Sequence, residues 1–319
     1  MYKGKHVAVV VPAYNEEEFV GTVIETVPEF VDRVYPVDDC STDGTWIRMR
    51  AAAARRSAET DTEVDPIKHD TNQGVGAAIK TGCRRATSDG ADVIAVMNGD
   101  GQMDPDILDR ILDPVVEDSA DYAKGNRLLS PDHWEGMSSW RLFGNHLLTL
   151  LTRIASGYWR MTDPQNGYTA ISSGAVEQLD LSELYDGYGF LNDLLVRLNA
   201  HDMRIADVEM QAVYGEESSS IRYSRFVPQL SWLLLRTFVW RLEWKYVVDG
   251  FQPLVVPYLG GVVGAILLLL TVPFALLGWG TADDYAVAVL AFTCCVVLVV
   301  VGMMFDRRYN TRLETRVRK

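Results

Sequence analysis

The stretch that decides the fold is DVIAVMNGDGQMDP, residues 92–105, in which an apolar run ends in a polar, glycine-containing loop. The run DVIAVM (92–97) is typical of a buried strand. The loop after it places Asn98, Asp100 and Gln102 at alternate positions. Carboxylate and amide oxygens in this pattern suit Mg²⁺ or Mn²⁺ rather than zinc. A second carboxylate in place of Asn98 would bind a cation better, so this asparagine needs an explanation.

Three other runs have the same strand-like character. They are HVAVVV (6–11), RVYPV (33–37) and EVDPIK (63–68). Helix-like stretches lie between them, namely EEEFVGTVIETV (16–27) and TWIRMRAAAARRSA (45–58). Strands that alternate with helices predict an α/β domain built on a mostly parallel sheet. Ligands of such sheets bind beyond the carboxyl ends of the strands, which is where the loop after residue 97 is expected to lie.

Polar clusters follow the strands at equivalent positions. They are PAYNEEE (12–18), DDCSTDGT (38–45) and NQGVGAAIKTG (72–82). Paired carboxylates before a turn and a helix start suit a ribose or a base edge, although the same residues also form ordinary capped turns. Several acidic and amide-rich loops on one sheet edge favour a site that holds a diphosphate through a divalent ion.

The composition limits the class of protein. A net charge of −13 argues against a nucleic-acid binder. Of the 30 basic residues, 7 are Lys and 23 are Arg, which suits either a high-salt cytoplasm or an ordinary acidic protein. The four cysteines lack metal-ligand spacing, so we expect reduced thiols and a cytosolic soluble part. The N-terminal run passes directly into a strand pattern and does not resemble a signal peptide.

Two apolar stretches near the C-terminus are each long enough to span a bilayer, which takes roughly 20 residues. Residues 254–279 and 285–305 contain no charged side chain. They form either two transmembrane helices or a buried core hairpin. The last segment, 306–319, has six basic and two acidic residues. The positive-inside rule therefore places both termini and the catalytic part in the cytosol.

The segment before these stretches, residues 223–250, combines Trp232 and Trp244 with Arg236 and Arg241. Aromatic and arginine side chains at helical spacing favour a helix in the lipid headgroup layer, the alternative being an amphipathic helix packed on the soluble domain. The predicted organisation is a catalytic domain (1–222), interfacial helices (223–250), a two-helix transmembrane hairpin (251–305) and a basic cytosolic tail (306–319).

Four motifs carry a family resemblance. PAYNE, DDxSxDGT, NxGxxxAxxxG and GDGQxDP, in this order, resemble family 2 glycosyltransferases, which implies a nucleotide-sugar-binding, GT-A-like and Rossmann-like fold. The second half narrows the resemblance through KGNRL (124–128), DPQNGYTAIS (163–172) and GYGFLNDLLVRL (187–198). These motifs resemble the dolichyl-phosphate mannose synthase and polyprenyl-phosphate glycosyltransferase branch. Within it the chain is most similar to archaeal dolichyl-phosphate hexosyltransferases of N-glycosylation, over roughly residues 5–225.

The resemblance implies inverting transfer of a hexose from a nucleotide diphosphate sugar to dolichyl or polyprenyl phosphate, at the cytosolic face of the cell membrane. The product would supply protein N-glycosylation. A UDP-sugar, glucose first, is favoured because SSSIRY (218–223) differs from the corresponding run of the mannose enzymes. The alternatives are a GDP-mannose-dependent dolichyl-phosphate mannose synthase and a weakly active or inactive nucleotide-sugar-binding membrane protein. A processive polysaccharide synthase would need more spans and a QxxRW motif, which the chain lacks.

The same resemblance assigns the residues of the donor site. Asn98, Asp100 and Gln102 would hold Mg²⁺ or Mn²⁺, with Asn98 in place of an aspartate of the family. The residues that would form the nucleotide pocket are Pro12, Tyr14, Glu16, Asp38, Asp39, Gly74 and Lys80.

The resemblance also assigns the acceptor side. Asp100, Arg127 and Asp193 are the predicted catalytic residues, with Arg127 meeting the lipid phosphate and Asp193 lying near the acceptor. The further residues assigned to acceptor and sugar are Arg141, Asn145, Asp163, Gln165, Asn166 and Arg222. No histidine is assigned to catalysis. Two spans bury little surface between them, so a homo-oligomer is plausible.

Overall fold

The computed structural model describes residues 1–129, 139–211, 223–276 and 282–317. The strands of this part are β1 (Val7–Ala13), β2 (Arg33–Asp38), β3 (Glu63–Val64), β4 (Ile67–Lys68), β5 (Val93–Val96), β6 (Tyr122–Asn126), β7 (Thr169–Ser172), β8 (Ile205–Glu209) and β9 (Glu314–Val317). The helices are α1 (Val20–Thr26), α2 (Thr45–Glu59), α3 (Val75–Ser88), α4 (Leu108–Val116), α5 (Ser139–Ser156), α6 (Ser173–Gln178), α7 (Phe190–Ala200), α8 (Tyr223–Glu243), α9 (Val255–Leu276) and α10 (Ala282–Asn310).

The strands form one mixed sheet in the order β3-β2-β1-β5-β7-β6-β8-β9, with β4 also paired to β2. Most neighbours are parallel, as the strand–helix alternation predicted. Strand β7 is the exception, because it is antiparallel to both β5 and β6. Its reversal joins the half of the sheet that carries β1, β2 and β5 to the half that carries β6, β8 and β9.

Alternate residues of the strands pack on opposite faces of the sheet. On β1, Ala8 and Val10 belong to a core that includes α3, α6 and α7. Val7, Val9 and Val11 belong to a second core on the other face, with α1 and α4. Both faces of the central strands are therefore covered, and a ligand can reach these strands at the loops where they end.

Several predicted boundaries shift in the structure. The run at 63–68 is two short strands, because Pro66 has no N–H to continue the ladder with β2. The helix predicted over 16–27 begins only at Val20. The residues before it turn toward the loop after β2, where the Glu16 N–H donates to Thr45 Oγ1 at 2.8 Å.

The two apolar stretches form helices α9 and α10, which pack along each other at glycines such as Gly261. Within the described residues, one helix, Ala286–Leu313, is long and apolar enough to cross a membrane by length and composition. The apolar part of α9, Val255–Leu269, is shorter. The prediction of two transmembrane helices is therefore not confirmed.

The segment after residue 305 is not a separate tail. Residues 306–310 complete α10, and β9 then pairs in parallel with β8. Leu313 is buried in the core on one face of the sheet, and Val317 packs against the core on the other. These apolar side chains attach the segment to the catalytic sheet, whereas the sequence predicted a separate basic tail.

Arg241 was predicted to lie in a headgroup layer, and the structure corrects this. The guanidinium is fully buried and forms an ion pair with Asp306 of α10, with Nη1 and Oδ1 2.9 Å apart. Trp232, on the same helix, is 67% exposed. Helix α8 thus packs one face on α5 and α7 and leaves an apolar face open.

Candidate active site

The loop that follows β5 lies beside the end of β1. The Met97 N–H donates to Val10 O and the Gly99 N–H donates to Pro12 O, both at 3.0 Å. These bonds extend the parallel ladder past the last residue of β5 and fix the start of the loop. The predicted nucleotide residue Pro12 and the predicted metal ligand Asp100 are thereby brought to the same edge of the sheet.

Asp100 is the one carboxylate of the predicted metal site. Its Oδ1 accepts the Gln102 N–H at 3.0 Å, and the Asn98 side chain also hydrogen-bonds the carboxylate. Burial raises the pKa of Asp100 against these two bonds. Among the described residues, no group of three or more His, Cys, Asp or Glu side chains is arranged to hold a metal ion. One carboxylate with amide groups fits Mg²⁺ or Mn²⁺ when water and phosphate oxygens complete the shell.

The loop at 163–168 meets the metal loop because β7 pairs with β5. The Asn98 amide packs against Gly167, 3.2 Å from where a Cβ would lie. The Tyr168 hydroxyl donates to Asp104 O at 2.9 Å. The predicted sugar residues and the predicted metal ligands therefore adjoin, as their assignment to one site requires.

Asp38 and Asp39 at the end of β2 differ in what they bind. Asp39 Oδ2 accepts the Gly74 N–H at 2.7 Å, and its Oδ1 accepts the Gln73 N–H at 2.9 Å and lies 2.8 Å from His69 Nδ1. Both oxygens thus accept hydrogen bonds from the protein, and nucleoside contact by Asp39 stays a prediction. Asp38 is also buried, but its Oδ2 has no hydrogen-bond partner within the described part of the chain.

Gly74 and Lys80 both contact the loop that contains Asp186. Gly74 has a φ of +97° and a Cβ there would lie 2.6 Å from Asp186 O, so its surface is covered by protein. Lys80 is 5% exposed, donates to Leu184 O at 2.8 Å and forms an ion pair with Asp186. The loop that contains Asp186 covers both residues in this structure, and their assignment to the nucleotide pocket stays a prediction.

Tyr14 and Glu16 follow β1 on the open side of the sheet edge. Tyr14 is 45% exposed, and Asn15 between them has a φ of +57°. Asn15 Oδ1 accepts the Thr42 N–H at 2.9 Å, which ties this loop to the loop after β2. Both predicted residues thus border the edge at which Asp38 ends its strand.

Arg127 and Asp163 form a bidentate ion pair. Arg127 Nε lies 2.7 Å from Asp163 Oδ2 and Nη2 lies 2.8 Å from Oδ1. Burial alone would raise the pKa of Asp163, but hydrogen bonding to Arg127 lowers it below its ordinary value. The structure therefore joins a predicted acceptor residue directly to a predicted sugar residue, with Asp163 fixed at a φ of +50°.

Asn166 and Gln165 shape the same loop. Asn166 Oδ1 accepts the Tyr168 N–H at 3.0 Å, and Gln165 Nε2 lies 3.4 Å from Asn192 Oδ1. Asn166 is buried, so its amide supports the loop more than it offers a surface.

Asp193 is buried in the structure. It is 3% exposed, and its Oδ2 accepts the Tyr185 N–H at 2.9 Å. Burial raises the pKa of Asp193. The carboxylate supports the loop before α7, and a catalytic role of Asp193 beside the acceptor stays a prediction.

Three predicted acceptor residues are not described. Arg141 and Asn145 lie on α5, but their side chains are outside the described part, and so is Arg222.

Sequence reasoning missed three side chains around the end of β2. His69 bridges Asp39 and Thr81, with Nε2 2.9 Å from Thr81 Oγ1. Lys68 Nζ lies 3.6 Å from Asp38 Oδ2 and 5.5 Å from the centre of the Trp46 ring. The available signal was their position, since Lys68 ends a strand, His69 directly follows it, and Trp46 directly follows the turn DCSTDGT.

Comparisons with known proteins show which family the sequence matches. The family model described as glycosyl transferase family 2 matches residues 8–179. The chain is similar to UDP-N-acetylglucosamine–dolichyl-phosphate N-acetylglucosaminyltransferase of Methanococcus voltae, with 29% identity over 67% of this chain and 88% of that protein. It is 31% identical to undecaprenyl-phosphate mannosyltransferase of Micrococcus luteus, over 67% of this chain and 86% of the relative. These names confirm the resemblance to the polyprenyl-phosphate branch.

A solved structure supports the fold. Glucosyl-3-phosphoglycerate synthase of Mycobacterium tuberculosis, crystallised with Mg²⁺ and uridine diphosphate, superposes with a TM-score of 0.54 at 18% identity. The superposition covers 75% of this chain and 79% of that one. The described catalytic part thus has a GT-A-like mixed α/β fold.

Proposed function

Because this chain belongs to glycosyl transferase family 2, we propose that it transfers a hexose from a nucleotide diphosphate sugar to dolichyl or polyprenyl phosphate. The acceptor class is supported by relatives whose names include dolichyl-phosphate and undecaprenyl-phosphate transferases. Those names disagree on the sugar. We favour glucose from a UDP-sugar, because the SSSIRY run differs from the corresponding run of the mannose enzymes.

The observation that carries this proposal is the meeting of three loops at one sheet edge. The Asp100 loop bonds to the end of β1, and Asn98 packs against Gly167 of the loop that contains Asp163. Asp163 in turn pairs with Arg127. A site with a carboxylate at one end and an arginine at the other can hold a diphosphate and a lipid phosphate on either side of a sugar.

The proposed chemistry needs little acid–base help. A lipid phosphate oxygen, already ionised near neutral pH, attacks the anomeric carbon as the bond to the diphosphate oxygen breaks, with inversion. Asp100, with Asn98 and Gln102, would hold Mg²⁺ or Mn²⁺, which supplies positive charge to the leaving diphosphate. Arg127 would attract the acceptor phosphate, for which its planar guanidinium is well shaped. Asp163 would keep that guanidinium in one orientation until the acceptor arrives.

We further propose that α9 and α10 anchor the enzyme as a two-helix hairpin, with both termini in the cytosol. The open apolar face of α8 would lie on the membrane surface. This arrangement would present the sheet edge to a lipid phosphate at the bilayer surface. The product would then be a lipid-linked sugar for protein N-glycosylation.

A second candidate function is nucleotide-sugar binding without turnover. Asn98 favours it, because the amide brings no negative charge to a site with a single carboxylate. A weak metal site would lower the transfer rate and leave nucleotide contacts along β1 and β2 in place.

The test is a transfer assay with the full-length protein in detergent micelles. Dolichyl phosphate and Mn²⁺ or Mg²⁺ are supplied with radiolabelled UDP-glucose, UDP-N-acetylglucosamine or GDP-mannose, and label is counted in the organic phase. Asp100→Ala tests the site, and Asp61→Ala removes an exposed carboxylate elsewhere as the matched control. We expect label from one donor, lost in Asp100→Ala and kept in Asp61→Ala.

The outcomes separate the two candidates. Transfer from GDP-mannose alone would change the sugar and leave the reaction intact. Nucleotide binding without lipid-linked label, at low and high salt, would overturn the transferase proposal in favour of the binding protein.

A further inference from the structure

The segment that follows the apolar helix returns to the catalytic sheet. We call residues 306–317 the returning segment. It comprises the end of α10 and strand β9, and β9 pairs with β8 so that Glu314 lies beside Ile205. Backbone pairing alone would complete the sheet. The side chains of the returning segment make further contacts with the rest of the chain.

Glu314 binds three consecutive backbone amides. Its Oε1 accepts the Trp159 N–H at 2.8 Å, and its Oε2 accepts the N–H groups of Arg160 and Met161 at 2.6 and 2.9 Å. The side chain is 8% exposed. Burying a carboxylate is costly unless it is well bonded, and here three hydrogen bonds join it to one loop. The loop from Trp159 to Met161 is therefore fixed by a residue 153 to 155 positions later in the chain.

Asp306 fixes the same loop from the other end of the returning segment. Its Oδ2 accepts the indole N–H of Trp159 at 3.1 Å and is 3.1 Å from Arg241 Nη2. Arg241 also donates through Nε to Ala155 O at 2.8 Å, near the C-terminal end of α5. Both the backbone and the ring of Trp159 are thus held by the returning segment.

The fixed loop leads directly into the candidate site. The Thr162 N–H donates to Asp207 Oδ2 at 3.0 Å, and Asp207 lies on β8, the strand that pairs with β9. The next residue is Asp163, whose carboxylate grips Arg127. A shift of the loop would therefore move the Asp163–Arg127 pair.

We propose that the returning segment holds the Asp163–Arg127 pair in position for sugar transfer, with Glu314 as the positioning residue. This inference rests on the proposed transferase function. It makes the chain beyond the apolar helix part of the catalytic machinery rather than a membrane flank. The nucleotide side of the site, built on β1, β2 and β5, does not depend on it.

The first experiment compares Glu314→Gln with Thr315→Ala, an exposed neighbour on the same strand, in the full-length protein. Hydrogen–deuterium exchange without any ligand follows residues 157–163, and the transfer assay follows kcat and the donor KM. In Glu314→Gln we expect faster exchange in this loop and a kcat lowered about tenfold or more, with the donor KM unchanged. Thr315→Ala should match the wild type in both.

Trp159→Phe is the second variant, because it removes the indole N–H and keeps an aromatic side chain. It should lower kcat in the same direction as Glu314→Gln, by less. If Glu314→Gln does not fold, Trp159→Phe decides. Wild-type exchange or wild-type kcat in the folded variants would overturn the positioning role. Absence of transfer in the wild-type protein would instead overturn the proposed function. The exchange rates would then still test whether Glu314 fixes the loop.

Discussion

At the scale of single residues, the asparagine at position 98 has a structural consequence. Its amide packs on Gly167 and bonds to the Asp100 carboxylate. An aspartate there would place two carboxylates side by side, which raises their pKa values and destabilises the pair until a cation binds. If the proposed metal site is correct, Asn98 lowers its affinity for the ion and removes the charge repulsion that a second carboxylate would add.

Asn98→Asp should strengthen cation binding and weaken the cation-free protein. We expect the Mn²⁺ concentration for half-maximal transfer to fall about tenfold, because one more negative charge faces the ion. The melting temperature in EDTA should fall, and Mn²⁺ should restore it. Gln178→Glu adds a charge on exposed α6 as the control. An unchanged Mn²⁺ requirement would show that position 98 does not face the cation.

At the scale of elements, the N-terminal turn of α3 is built around close approach to the loop before α7. The Gly76 N–H donates to Asp186 O at 2.7 Å, and a Cβ at Gly76 would lie 2.6 Å from Tyr185 O. Lys80 then closes the contact from the next turn. Gly74, which was predicted to line the nucleotide pocket, and Gly76 both lie close to the backbone of this loop.

Gly76→Ala should destabilise the protein by about 1–3 kcal/mol, because the methyl group meets fixed carbonyl oxygens. Gly21→Ala is the matched control, since Gly21 is also the second residue of its helix and has nothing within 4 Å of its Cβ position. That change should stabilise by about 0.5–1 kcal/mol. Urea unfolding of both variants in micelles measures the difference, and equal effects would contradict the close contact.

At the scale of the whole molecule, a buried polar cluster joins the catalytic part to α10. Arg241, Tyr246, Asp306 and Asn310 are all fully buried, and the Tyr246 hydroxyl donates to Asp306. Lys245 adds an ammonium 2.8 Å from Asn310 Oδ1. Such a cluster is stable only when complete, so it attaches the apolar helix to the domain in one arrangement.

Arg241→Met should cost about 3–5 kcal/mol, because it leaves Asp306 buried without its cation. Adding Asp306→Asn should recover part of the loss, since the double variant buries no unpaired charge. Denaturant unfolding of both variants in micelles gives the two values. A double variant that is less stable than Arg241→Met would show that the loss does not come from the unpaired Asp306 carboxylate.

Lys245 gives a pH dependence of known sign. Burial lowers its pKa to about 8, although Asp202 lies 3.2 Å away and opposes the shift. Between about pH 8 and the unfolded value near 10.5, the unfolded chain binds one more proton than the folded one, so this group makes unfolding free energy rise with pH. Lys245→Met should remove that rise. Parallel pH profiles for both proteins between pH 7.5 and 9.5 would contradict it.

The sequence alone determined the family, the alternating strands and helices, and the loop that carries Asp100. It did so because these features depend on local spacing: apolar runs, turn residues and motifs within about ten positions of each other. The α/β class follows for the same reason, and the reversal of β7 does not, because strand direction depends on partners far along the chain.

Only the tertiary structure decided which polar groups remain available for ligands. Asp39, Lys80 and Asp193 belong to motifs yet are bonded to backbone groups elsewhere in the fold. Residues 306–319 were predicted to form a separate basic tail, whereas Leu313 and Glu314 are buried. A motif specifies residue types, but burial and hydrogen-bond partners arise from contacts between distant segments, and those contacts decide whether a carboxylate faces a substrate or a neighbouring loop.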